Sequence, residues 1–158
     1  MQITEGQTSS YKTIIETNQP STMLRHLGQN APNNLASSCL AWIRFNSNTQ
    51  LEAHRFNFQG ANPVIISYEI IEYFPYIAKS CQNIYIEIPS GSSTVNKTIN
   101  AVDLTKTTLI PRGSNIDGAA TFESTLAYLE FLNSTTLRAT RSLTSAKLTL
   151  SVTVFEFP

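Results

Sequence analysis

The chain repeats itself. Residues 40–55 set against residues 126–141 agree at seven of sixteen positions without a gap: Leu40/Leu126, Ala41/Ala127, Phe45/Phe131, Thr49/Thr135, Leu51/Leu137, Ala53/Ala139 and Arg55/Arg141. Trp42/Tyr128 and Ile43/Leu129 add chemical agreement. An offset one residue shorter matches the earlier stretch, through Ile3/Ile88, Gly6/Gly91, Lys12/Lys97, Thr13/Thr98, Ile14/Ile99, Thr22/Thr107, Leu24/Leu109, Gly28/Gly113 and Asn30/Asn115. An offset shorter by one more matches the ends, through Ser67/Ser151 and Glu72/Glu156. Such self-similarity reads as a tandem duplication, with copy one at 1–75, a linker at 76–81 and copy two at 82–158. Whatever the fold is, it must be one that can be built twice.

Each copy reads as strands. Ile84, Ile86 and Ile88 alternate with Tyr85 and Glu87, and Leu148, Leu150, Val152 and Val154 alternate with Thr149, Ser151 and Thr153. Period two is the pattern of a half-buried strand. The last strand of copy one, Val64 to Glu72, is apolar on both faces for part of its length, so it is expected to be central or covered by the other copy. Turn chemistry falls between strands at Pro89-Ser90-Gly91, Pro111-Arg112-Gly113-Ser114 and Gly60-Ala61-Asn62-Pro63. Residues 29–38 and 114–124 read as polar loops, with room for a helical turn near Leu35 or Phe122. Six strands per copy follow, at about 2–5, 9–16, 21–27, 39–46, 49–56 and 64–73, with their equivalents in copy two. The expected fold is all-β: two tandem, similar, small antiparallel β-sandwich domains of jelly-roll-like form. A 75-residue unit buries only about 60% of its unfolded surface, so the copies are expected to pack together or to oligomerise.

Charge sets the surface. Eleven basic and eleven acidic residues cancel, and only 14% of the chain is charged. The 19 Thr, 17 Ser, 13 Asn and 7 Gln make up about a third of it. No Lys/Arg cluster supplies the footprint of a nucleic-acid binder or a polybasic membrane binder, so neither partner is expected. The first residues, Met1 to Gly6, show no basic or apolar region of a signal peptide. No apolar run approaches the roughly 20 residues of a membrane span. Cys39 and Cys81 are the only cysteines and read as small buried thiols rather than a disulfide.

Catalytic signatures are missing. His26 aligns with Pro111 and His54 with Thr140, so neither histidine recurs between the copies. No HxxH, CxxC, P-loop, GxGxxG or Gly-x-Ser-x-Gly pattern occurs. No catalytic, cofactor or metal site is assigned, and the protein is expected not to be an enzyme. Glu72/Glu156 is the only recurrent carboxylate. Asn96-Lys97-Thr98 and Asn133-Ser134-Thr135 match the glycosylation sequon, as chance allows in an Asn/Thr-rich chain. Tyr68, Tyr73, Phe74, Tyr76 and Tyr85 form a candidate sugar-stacking platform, although such residues are more often core.

Copy two carries a further pattern. Ile86-Glu87-Ile88-Pro89-Ser90-Gly91 is followed by Val102-Asp103-Leu104-Thr105-Lys106, then Asn133-Ser134-Thr135-Thr136, then Val154-Phe155-Glu156-Phe157. This order resembles a β-domain of tailed-bacteriophage virion structural proteins of the tail or decoration type. Copy one departs from it, with Glu16-Thr17-Asn18-Gln19 in place of Ala101 to Leu104. The resemblance implies a non-enzymatic structural subunit of a phage virion, assembled in the host cytoplasm. A capsid-decorating (cement) protein or other accessory subunit is expected first, a tail, neck or fibre-attachment component second, and a host-glycan-binding module third. Its partners would be the major capsid protein or tail proteins and further copies of itself. A trimer would present six similar domains in a ring, while a monomer or dimer uses the duplication equally well.

The repeat also predicts a register. Arg44 aligns with Glu130 and Glu52 with Arg138, so both signs flip between the copies. A hairpin pairing Phe45 with Leu51, Ile43 with Ala53 and Arg44 with Glu52 keeps opposite charges face to face. The same register in copy two pairs Phe131 with Leu137, Leu129 with Ala139 and Glu130 with Arg138.

Overall fold

Alternating apolar and polar residues, broken by Gly, Pro and Asn, favour pleated strands, and strands dominate. The computed structural model describes residues 1–31, 40–56, 63–74, 76–117 and 122–158. Among them lie β1 (Gln2–Ile3), β2 (Ser9–Thr13), β3 (Thr22–Asn30), β4 (Ala41–Ser47), β5 (Gln50–Arg55) and β6 (Val64–Glu72). The second half contributes β7 (Ser80–Ile88), β8 (Thr94–Thr98), β9 (Thr107–Ile116), β10 (Tyr128–Asn133), β11 (Thr136–Thr140) and β12 (Leu148–Glu156). Helix in the described residues is limited to 3-10 turns at Gln19–Ser21, Leu104–Lys106 and Phe122–Thr125.

All pairings are antiparallel. The first half forms one sheet of order β1-β6-β3 and a second set β2-β5-β4. The second half forms β7-β12-β9 and β10-β11-β8. A single bridge, Trp42 to Gly113, joins β4 to β9, so β2-β5-β4-β9-β12-β7 runs as one six-stranded sheet.

The halves share their pairings residue by residue. Ile3 opposes Val64 as Ile88 opposes Leu148. Lys12 opposes Leu51 as Lys97 opposes Leu137. Thr22 opposes Glu72 as Thr107 opposes Glu156. Backbone bonds outside the ladders recur too: Ile14 N to Thr49 O and Ile99 N to Thr135 O, each 2.9 Å. The hairpin register is the expected one in both halves, with Arg44 opposite Glu52 and Glu130 opposite Arg138. Leu40 to Phe45 and Leu126 to Phe131 thus hold corresponding places.

Burial follows the same division. Ile3, Leu24, Ile43, Leu51, Val64 and Ile66 anchor a core in the first half. Ile88, Ile116, Leu137, Leu148, Val152 and Val154 anchor another in the second. A smaller cluster of Met23, Ala78, Cys81 and Phe155 bridges them.

Several expectations are corrected. Ser80 and Cys81, expected in the linker, open β7. Residues 29–30 and 114–116, read as loop, are strand, and Pro111 to Ser114, read as a turn, lies inside β9. The turn residues there serve a β-bulge: β9 places an extra residue against β12 between Pro111 and Ser114, and Gly113 takes φ +100°. The covered strand is β12, buried along its whole length, whereas β6 leaves Ile65 51% exposed. Alternation marked β12 as one-sided because Thr149, Ser151 and Thr153 are polar. Their hydroxyls can be buried where bonded, as Ser151 Oγ is to Ile43 O at 3.1 Å and Thr153 Oγ1 to Asn83 Oδ1 at 3.2 Å. Cys81 is a free, buried thiol; Cys39, Leu35 and Gly60 to Asn62 lie outside the described residues.

Candidate functional site

The densest chemistry sits where the halves meet. Trp42 projects from β4, where its cross-strand partner His54 stacks on it at 5.1 Å and 13°. Tyr85 of β7 meets the same indole edge-on at 5.1 Å, which closes the ring surface to 2% exposure. Arg44 lies 5.1 Å from the Trp42 ring centroid and 5.8 Å from that of Tyr85, a cation–π arrangement that also spans the halves. Its guanidinium bonds Glu52 at 2.6 Å, and the Tyr11 hydroxyl approaches the same carboxylate at 3.4 Å.

Polar contacts fix the register of this junction. Asn115 Nδ2 lies 3.1 Å from His54 Nδ1, and the Ser151 hydroxyl donates to Ile43 O. Gly113 meets the chain of β4 so closely that a Cβ would lie 2.3 Å from Ala41 O. Arg112, beside it, is 1% exposed and donates from Nη2 to Val152 O at 3.1 Å. Burial pushes its pKa down to about 10. Burial pushes the Cys81 thiol up to about 11 against the pull of Arg112, so it stays protonated near neutrality and is a poor nucleophile. His26 and His54 are both lowered chiefly by burial.

Other recurrent residues hold the fold. Arg55 and Arg141 reach across their halves to equivalent carbonyls: Arg55 to Gln7 O and Thr4 O at 3.0 and 2.9 Å, Arg141 to Ser92 O and Pro89 O at 3.1 and 2.7 Å. Glu72 and Glu156 each accept the N–H that opens a 3-10 turn, from Asn18 at 3.0 Å and Asp103 at 2.8 Å. Burial alone would raise the Glu156 carboxyl, but Lys79 at 2.8 Å, the Asp103 N–H and the Ser80 hydroxyl hold it below the ordinary carboxylate value.

The five aromatics singled out as a platform do not share one surface. Tyr68 packs on the first core, Tyr73 against Phe155 at 4.9 Å, and Tyr85 on Trp42. Phe74 and Tyr76 alone stand out, 66% and 73% exposed and stacked in parallel at 5.7 Å. An open cleft of about 360 Å³ beside Phe74 is lined by Asn18, Ser21, Glu72 and Tyr73. Asn96 and Asn133 are exposed, and Asn133 Oδ1 is engaged by Thr135 in a turn. Among the described residues no three His, Cys, Asp or Glu side chains gather as a metal site would need. Sequence reasoning missed Trp42 and Arg112 as junction residues. Trp42 being the only tryptophan, on a strand with a repeat partner, was the available signal. No family model, curated protein or solved structure matches the chain.

Proposed function

We propose that the protein is a non-enzymatic structural subunit of a tailed-phage virion, built by tandem duplication of one jelly-roll-like β-sandwich. What carries this reading is the ordered set of motifs in copy two, from the Ser90-Gly91 turn to Val154–Phe157. The pairing orders β1-β6-β3 with β2-β5-β4, and their counterparts in the second half, suit a wrapped six-stranded sandwich used twice. A surface rich in Thr, Ser and Asn with no net charge suits close packing against other virion subunits that salt does not loosen. Its small size favours capsid decoration over a tail, neck or fibre-attachment role. The partners are the major capsid protein, or tail proteins, and copies of the chain itself. Quantitative mass spectrometry of purified particles tests this: hundreds of copies per particle support decoration, a few to tens support a tail or neck component, and absence from particles overturns the virion role.

A second reading has one observation behind it, the exposed Phe74–Tyr76 pair beside the Glu72 cleft. Sugar rings stack on such faces while carboxylates bond their hydroxyls. Glycan-array binding lost in Phe74→Ala and Tyr76→Ala would favour a host-glycan module.

A further inference from the structure

We propose that the chain associates head to tail with further copies of itself, the β10 edge of one copy docking on the outer face of β3 and β6 of the next. The junction inside the chain shows what such a contact looks like. There β4 of the first half seats on β9 and β12 of the second, using Gly113 for close approach, Asn115 toward His54 and Ser151 toward Ile43 O. All three acceptor residues recur unchanged in the first half as Gly28, Asn30 and Ser67. There they have no comparable use. Gly28 keeps its own bulge on β3, with nothing within 4 Å of a Cβ built on it, and Asn30 and Ser67 are exposed.

Apolar exposure completes the pattern on both sides. Beside Gly28, Leu27 is 56% and Ile65 51% exposed, whereas their counterparts Arg112 and Thr149 are buried in the junction. On the other surface β10 is an edge strand, paired among the described residues with β11 alone. Tyr128, the counterpart of the buried Trp42, is 63% exposed, with Leu126 at 58% beside it. Tyr85 has no counterpart in the first half, and Leu27 and Ile65 supply the apolar surface in its place. One half of a two-sided contact is thus satisfied within the chain, and its two complementary halves are left on opposite units. Open edges and apolar patches of this kind are ordinarily covered. A contact between unlike surfaces closes into rings or runs on as filaments, according to the rotation it imposes. The inference rests on the recurrence of pairing between the halves and not on a virion role, so particle composition and self-association fail separately.

Sedimentation velocity of the full chain over rising micromolar concentrations reads the outcome. Mass is expected to grow in whole multiples of one chain. Leu27→Glu and Tyr128→Glu each change an exposed residue and should leave the chain monomeric with an unchanged melting curve. Mixing those two variants should restore association but stop it at a one-to-one dimer, since only one intact pair of surfaces remains. Ser67→Glu replaces Leu27→Glu if the latter melts early. A wild-type chain that stays monomeric, a variant that assembles like wild type, or a mixture of monomeric variants that yields no dimer overturns the proposal.

Discussion

Arg44 and Glu52 show how environment sets the worth of a residue pair. The repeat predicted two opposite-charge pairs of equal kind, yet the Glu52 side chain is 6% exposed while Glu130 and Arg138 stand at 35% and 38% with a 3.8 Å separation. Arg44→Glu should therefore cost about 1–3 kcal/mol, because it leaves a nearly buried carboxylate facing its like. Adding Glu52→Arg should recover most of that loss. The Glu130/Arg138 exchange should move stability by under about 1 kcal/mol. Urea denaturation of the single and double variants checks both, and additive losses at 44 and 52 would show uncoupled charges. Histidine gives a second prediction. Burial favours the neutral rings of His26 and His54 in the folded chain, so the unfolded chain takes up protons first as pH falls through about 6.5. Stability present above that pH is expected to decline below it and to keep falling as Glu156, whose folded pKa is depressed, is protonated at lower pH. Melting temperatures between pH 7.5 and pH 4 read this, and His26→Gln with His54→Gln should flatten the upper part of the fall.

Bulges are the elements on which the molecule turns. β3 and β9 carry an extra residue at matching places, next to Gly28 and Gly113, and both glycines take positive φ. Any side chain at either site meets backbone strain of about 1–2 kcal/mol. At Gly113 a Cβ would also strike Ala41 O at 2.3 Å, whereas at Gly28 it would meet open space. Gly113→Ala is thus expected to destabilise by clearly more than Gly28→Ala, and to part β4 from β9. Equal losses in urea melts, with Trp42 fluorescence unmoved in both, would show that the bulge does not carry the junction. The sequence placed Gly113 in a turn because Pro111-Arg112-Gly113-Ser114 has turn composition. A bulge and a turn ask for the same residues, so composition alone does not separate them.

At the scale of the molecule, two cores meet through one indole. Removing it by Trp42→Ala should cost about 3–5 kcal/mol and uncouple the halves. Calorimetry is expected to turn a single transition into two, and a single transition at lower temperature would show that the halves unfold as one. The sequence by itself determined much here. Period-two alternation gave the strands within a few residues, and the repeat gave the hairpin register, because opposite charges and matching apolar faces tolerate only one alignment. The repeat also identified Arg55, Arg141, Glu72 and Glu156 as recurrent, though not that they bind backbone at equivalent turns. Tertiary structure alone decided which faces are covered. Ile65 is exposed and Thr149 buried, against their polarity, because alternation records what a side chain is, while burial depends on which neighbour arrives over it. That neighbour is the other half of the chain, and its position follows from contacts at Trp42, Gly113 and Ser151, far apart in sequence, that no local pattern encodes.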